Sequence, residues 1–214
     1  MISSLNAFLT LHRDKIIGTV AVAMSITHLM VAVTGGIAGL LLKAIHLTFA
    51  MVLAFLLFPH SASRKGTLSL YDVFLSLISL VVFGYIVFDY DQVQQRMMFV
   101  DDFTIWQYVL GILAIILVLE AGRRALGWTL SILAMFMLFY ASFCEYFPGI
   151  MRVKGWDFRQ IVEVLYFSGE GILGISIGVS ATFVFLFVLI GAFLNRGGGG
   201  QFFLGLATKV TRGT

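Results

Sequence analysis

Six stretches of this chain, each about 18 to 24 residues long, are almost free of charge, and together they cover well over half of it. An apolar run of about 20 helical residues matches a hydrocarbon core about 30 Å thick. Hydrocarbon satisfies no backbone N–H or C=O, so each run must close its hydrogen bonds internally as a helix. The chain therefore reads as all-α: a polytopic helical membrane protein with about six transmembrane helices, near residues 16–34, 37–58, 68–88, 105–122, 125–144 and 171–194.

Charge patterning orients these spans. Arginine and lysine accumulate on the cytoplasmic side of short loops. With the N-terminus in the cytoplasm and strict alternation, the inner segments hold Arg13, Lys15, Arg64, Lys65, Arg123, Arg124, Arg196, Lys209 and Arg212. The outer side holds Lys43, Arg96, Arg152, Lys154 and Arg159, so the count is nine against five. Both termini are then expected in the cytoplasm. A net charge of +3, scattered between spans, gives no basic surface for nucleic acid. Cys144 is the one cysteine, which excludes an internal disulfide and a thiolate metal cluster.

The punctuation between spans is legible. Gly35 and Gly36 make the first turn, and Pro59 ends the second helix because proline disfavours helix at the residue before it. His60 to Thr67 reads as a short polar loop. The start, MISSLNAFLTLHRDK, shows no cleavage site. Its apolar positions Ile2, Leu5, Phe8 and Leu9 recur at helical spacing, which predicts a short helix lying in the interface. WDFRQIVEVLYF predicts an amphipathic helix on the outer surface. Phe158, Ile161, Val162 and Leu165 share one face, Arg159, Gln160 and Glu163 the other, and Asp157 with Gln160 fits a capping box.

Ionisable groups inside spans are costly and draw functional suspicion. Asp72 and Glu120 lie within about a turn of the inner surface, where Arg64, Lys65, Arg123 or Arg124 can pair with them. Glu120 and Arg124 are spaced i,i+4. Lys43 lies about two turns into its span and can snorkel outward. His28 lies about 18 Å from Ile16, and His46 about 14 Å from Ile37 on the next helix, at 1.5 Å per residue. The two thus reach similar depth. They could ligate a haem iron, or serve as neutral residues that hydrogen-bond Thr27, Thr48 or a neighbouring helix. His12 and His60 fall in loops. Hydrolytic motifs (Gly-x-Ser-x-Gly, His-Glu-x-x-His) are missing, so no enzyme activity is expected.

The last span places Gly171, Gly174 and Gly178 three and four apart, followed by Ser180, Ala181 and Thr182. That spacing suits close helix packing, the more common use, and also the broken helices of transporters. Gly197 to Gly200 reads as a flexible stop without the Lys-Ser/Thr of a phosphate loop.

The stretch GISIGVSATFVFLFVLIGAFLNRGGGGQFF (Gly174 to Phe203) resembles the start of the large-subunit region in fused permeases of the tripartite ATP-independent periplasmic (TRAP) transporters. HLTFAMVLAFLLFP (His46 to Pro59), EAGRRALGW (Glu120 to Trp128) and the stretch from YFPG to LYFSGEGILG (Tyr146 to Gly174) are similar to the same family, in the expected order. The resemblance implies small-subunit-like membrane helices over 1–104. Further scaffold helices and the start of the large permease region would fill 105–214. It implies a sodium-driven symporter of organic acids, fed by a periplasmic substrate-binding protein, whose large region moves as an elevator against a scaffold. Fused permeases are several times longer. The sodium- and substrate-binding hairpins are therefore expected beyond Thr214, in the remainder of the large permease subunit, and no binding residue is carried over. On that expectation the chain is a fragment or one part of a split permease. The alternatives are a haem-bearing membrane anchor and a purely structural one.

Overall fold

Most of the described residues are helical because lipid leaves the backbone no other partner. The computed structural model describes residues 2–37, 39–60 and 68–212. The six spans are α1 (Ile2–Thr34), α2 (Gly39–Leu57), α3 (Leu70–Phe88), α5 (Ile105–Leu126), α6 (Trp128–Phe143) and a broken sixth. The sixth runs α8 (Ile175–Val179), a π-helical turn (Ser180–Val184) and α9 (Phe185–Arg196). Shorter pieces are α4 (Tyr90–Gln95), α7 (Phe158–Val162) with a π-helical turn over Glu163–Phe167, and α10 (Gly199–Arg212). All six spans are long and apolar enough to cross a bilayer.

The termini of these helices follow local rules. Gly35, at φ +62°, closes α1 with its N–H on the Val31 carbonyl. Pro59 follows the end of α2. Three capping boxes start helices: Ser69 with Asp72, Thr104 with Gln107, and the expected Asp157 with Gln160. The first two are equally plain in sequence.

Four boundaries differ from expectation. The predicted interfacial helix at the N-terminus is not separate, since α1 runs unbroken from Ile2 to Thr34 and takes in His12. No glycine or proline occurs before Gly18 to break it; the side chains of residues 1–8 lie outside the described ones, as does the loop 61–67 with Arg64 and Lys65. The fourth span continues to Leu126, so Arg123 and Arg124 are helical residues. The link to α6 is the single Gly127, at φ +88°. Gly171 and Gly174 are not part of the last span's packing stripe. They lie in the turn before it, where a Cβ on Gly171 would collide with the Val164–Leu165 backbone. Gly197 and Gly198 alone make the turn after α9, and Gly199 already opens α10.

At the centre α2 packs against α3, with α5 beside them. Ala44, Leu47, Phe55, Val82, Phe83, Ile86, Ala114 and Leu117 are buried there. Lipid gives apolar side chains little reason to prefer each other, so close approach of small residues and polar contacts must hold helices together. Ser131 donates to the Leu119 carbonyl (3.1 Å) and sits over Gly122, joining α5 to α6. Tyr85 of α3 bridges Asp89 and Gln107 of α5.

The segment after α6 is largely exposed as far as Gln160, as expected of an outer-surface helix, and turns inward from Ile161. α7 and its π-turn pack into the bundle against α5, and Tyr166 donates to the Val82 carbonyl of α3. Val162 rests on Gly111, where an added Cβ would overlap its Cγ1. Glu163, expected on a polar face, is buried. The π-turn shifts the register, which turns Glu163, Tyr166 and Phe167 inward together. Gly111→Leu is expected to lower stability by about 1–3 kcal/mol, the range of overpacked cores. An unchanged thermal midpoint in detergent would show that α7 does not seat on α5.

Candidate functional site

Three polar constellations sit within or at the ends of this bundle. At the basic end, Arg124 is almost fully buried (side chain 1% exposed). Its Nη1 donates to Asp72 Oδ1 at 2.7 Å and to the Phe58 carbonyl at 3.1 Å, and its Nε donates to Glu120 Oε1 at 2.7 Å. The guanidinium lies over the rings of Phe55 and Tyr71. Arg123 holds the same Glu120 through two 2.7 Å bonds and donates to His60 Nδ1 at 3.3 Å. Asp72 does double duty, since its other oxygen caps α3 at Ser69 N–H. The i,i+4 pair read from sequence is present. It belongs to a network that ties α2, α3 and α5, and His60, set aside as a loop histidine, is in it.

At the opposite end Arg96 performs a similar task. Its Nε donates to buried Glu163 at 3.3 Å, and its other nitrogens bond the Asp101 and Asp102 carbonyls. The guanidinium stacks 4.2 Å over the Phe103 ring. This arginine clamps the loop before α5 to the segment after α6. Sequence reading counted Arg96 only as a loop charge. Its signal, a lone arginine among Asp89, Asp91, Asp101 and Asp102, was available but pointed to no partner. Arg159 with Asp102 (2.7 Å) is the exposed counterpart. The Arg159 hydrogen bond, with its charge adding, holds the Asp102 carboxyl below the usual carboxylate range. A depressed folded value means the link stabilises above the unfolded carboxylate range and is lost as acid titrates it. Water on both partners leaves that contribution small.

The third constellation is the histidine pair. Sequence put His28 and His46 at similar depth, and they meet: His28 Nε2 lies 2.9 Å from His46 Nδ1. His28 Nδ1 reaches the Met24 carbonyl at 2.8 Å, and His46 Nε2 reaches Ser180 Oγ at 3.0 Å. Both rings are buried, with the Phe185 ring 4.4 Å from that of His28. An iron between the rings would need both nitrogens aimed at a metal. Here they face one another at hydrogen-bonding distance, and a macrocycle has no room, so the residues do not fit haem. Thr27 and Thr48 are not the partners; each bonds a carbonyl one turn back on its own helix. Ser180, which the sequence offers for close packing or for a broken helix, is the partner on the last span. Lys43 crosses to that span too, since a Cβ at Gly178 would come within 2.9 Å of its Cε.

The broken last span, with its glycine turn and α10, lies within one stretch that carries family information. Residues 113–212 match the family model described as tripartite ATP-independent periplasmic transporter, DctM component. The C-terminal part of the chain is thus similar to that transporter family. The match begins within α5 and runs through α6, α7 with Glu163, the broken span and α10. It encloses the whole Gly174–Phe203 stretch whose resemblance was noted first. No curated protein and no solved structure gives a match.

The two arginine sites differ sharply in expected energetics. Arg124→Ala leaves Asp72 and Glu120 without their shared partner near the membrane edge, and a loss of about 3–5 kcal/mol is expected. Arg159→Ala, at the exposed pair, should leave the thermal midpoint unmoved. Equal effects from the two variants, measured in the same detergent, would contradict the burial described here.

Proposed function

We propose that this chain is the scaffold-forming membrane component of a TRAP-type secondary transporter. It works in a bacterial inner membrane, moves organic acids and couples them to sodium. Its partners are a periplasmic substrate-binding protein and the remainder of the large permease subunit, in which the substrate and sodium sites lie. The observation that carries this reading is the family match over residues 113–212.

The distribution of buried surface agrees with it. α2 and α3 are well covered, whereas only 11% of the fifth span and 6% of the sixth are buried within this chain. Phe183, Phe187, Val188, Ile190 and Phe193 line the sixth as exposed apolar residues. Such a surface suits contact with lipid and with a further membrane segment. Residues 1–104 then act as the small-subunit-like portion, and both termini lie in the cytoplasm with the arginine network of Asp72 and Glu120. The Asp89–Asp102 loop and the Arg96 clamp face the periplasm, on the side where the binding protein delivers cargo.

Co-expression with the rest of the permease and a binding protein, in a strain lacking its own transporter, is expected to give sodium-dependent uptake of an organic acid. Uptake that is unchanged when this chain is omitted would reduce it to a structural anchor. A reporter fused within residues 89–102 is expected to read out as periplasmic, and cytosolic activity there would reverse the orientation.

A further inference from the structure

The histidine chain can be given a direction, because one of its ends has no choice. The Met24 carbonyl only accepts, so His28 Nδ1 carries a hydrogen and donates to it. In the neutral ring His28 Nε2 is then a bare acceptor, which His46 Nδ1–H must fill at 2.9 Å. His46 Nε2 is bare in turn, and the Ser180 hydroxyl donates to it at 3.0 Å. All three bonds run one way, from the last span through α2 to α1.

One added proton fits this chain without breaking it. If it resides on His28, Nε2–H donates to His46 Nδ1. The hydrogen of His46 then sits on Nε2 and donates to Ser180 Oγ, which accepts as readily as it donates. The balance is one proton taken from water, no covalent bond changed beyond N–H exchange, and one positive charge gained. A second proton would place two hydrogens between His28 Nε2 and His46 Nδ1 and two like charges on touching rings, so the pair would have to separate.

We propose that His28, His46 and Ser180 form a buried binding site for a single proton, whose occupancy reverses the hydrogen bond between α2 and the last span. Two features beyond the pair support it. Ser180 opens the π-turn Ser180–Val184, a distortion that often marks functional positions within helices. Among the described residues the surroundings also offer no carboxylate that would hold a second proton or fix a doubly charged pair. On α1, α2, α8, the π-turn and α9, the charged side chain nearest in register is Lys43, one turn before His46. His12, Arg13, Asp14 and Lys15 lie more than three turns from His28 along α1, and Arg196 ends α9. Lys43 acts against double charging, as does His28 on His46. The inference stands apart from the transport reading and holds whatever the cargo.

The test is ¹⁵N-histidine NMR of this chain in lipid nanodiscs, with resonances assigned through His28→Gln and His46→Gln. At about pH 8 both rings are expected as the Nδ1–H tautomer, the less common form for a histidine in water. On lowering the pH to about 4, the pair should take up one proton. An Nε2–H ring in the pair at high pH would overturn the proposal, as would uptake of none or two over that range. Ser180→Ala, a mild change at a half-buried site, is expected to shift only the His46 Nε2 resonance at high pH. An unmoved resonance would remove Ser180 from the site, and this variant serves even where a glutamine variant fails to fold.

Discussion

Hydrocarbon offers no hydrogen-bond partner, so each polar group carried below the bilayer surface depends on one supplied by the chain itself. That constraint explains more of this molecule than apolar burial does. Arg124 sits between Asp72, Glu120 and the Phe58 carbonyl. Arg96 sits between Glu163 and two loop carbonyls. His28 and His46 satisfy each other, a carbonyl and a serine. In each case local bonds are joined by at least one from another element: Asp72 to Arg124, Glu163 to Arg96, and Ser180 to His46. Because apolar contact barely discriminates one helix from another in lipid, these few bonds decide which helices are neighbours.

The two arginines act at opposite ends of α5. Arg124 lies in its last turns and draws in α2 and α3, while Arg96 precedes it and draws in α7 through Glu163. α5 is thus fixed at both ends, with small residues between: Gly111 admits Val162, and Gly122 admits Ser131. The helix held this way also contains the start of the family match.

Much of this was legible because the code for it is local. Six apolar runs, the Gly35 turn, Pro59, the Asp157 capping box and the Glu120–Arg124 pair each depend on residues a few positions apart. The histidine pair was half legible: equal depth follows from counting 1.5 Å per residue, but depth does not name the face, and Ser180 is 134 residues away from His46. What escaped is what depends on backbone irregularity. Sequence periodicity assumes 3.6 residues per turn, so the faces assigned to residues 158–167 failed once a π-turn intervened, and Glu163 moved from the water side to the interior. The same assumption put Gly171 and Gly174 on a helix, although their missing side chains serve a turn that presses on backbone.

The sixth span shows why those irregularities matter together. It touches α1 and α2 along one side and is bare elsewhere. Its polar attachment to α2 among the described residues is the single bond from Ser180 to His46, at the point where the helix loosens into a π-turn. A straight helix with a glycine stripe would pack by shape and slide with little penalty. A helix pinned by one directional bond is tied to α2 at one depth, and reversing that bond exchanges donor and acceptor there. The Gly178 contact with Lys43, a turn away, would feel any movement of this helix first, because no side chain there absorbs it.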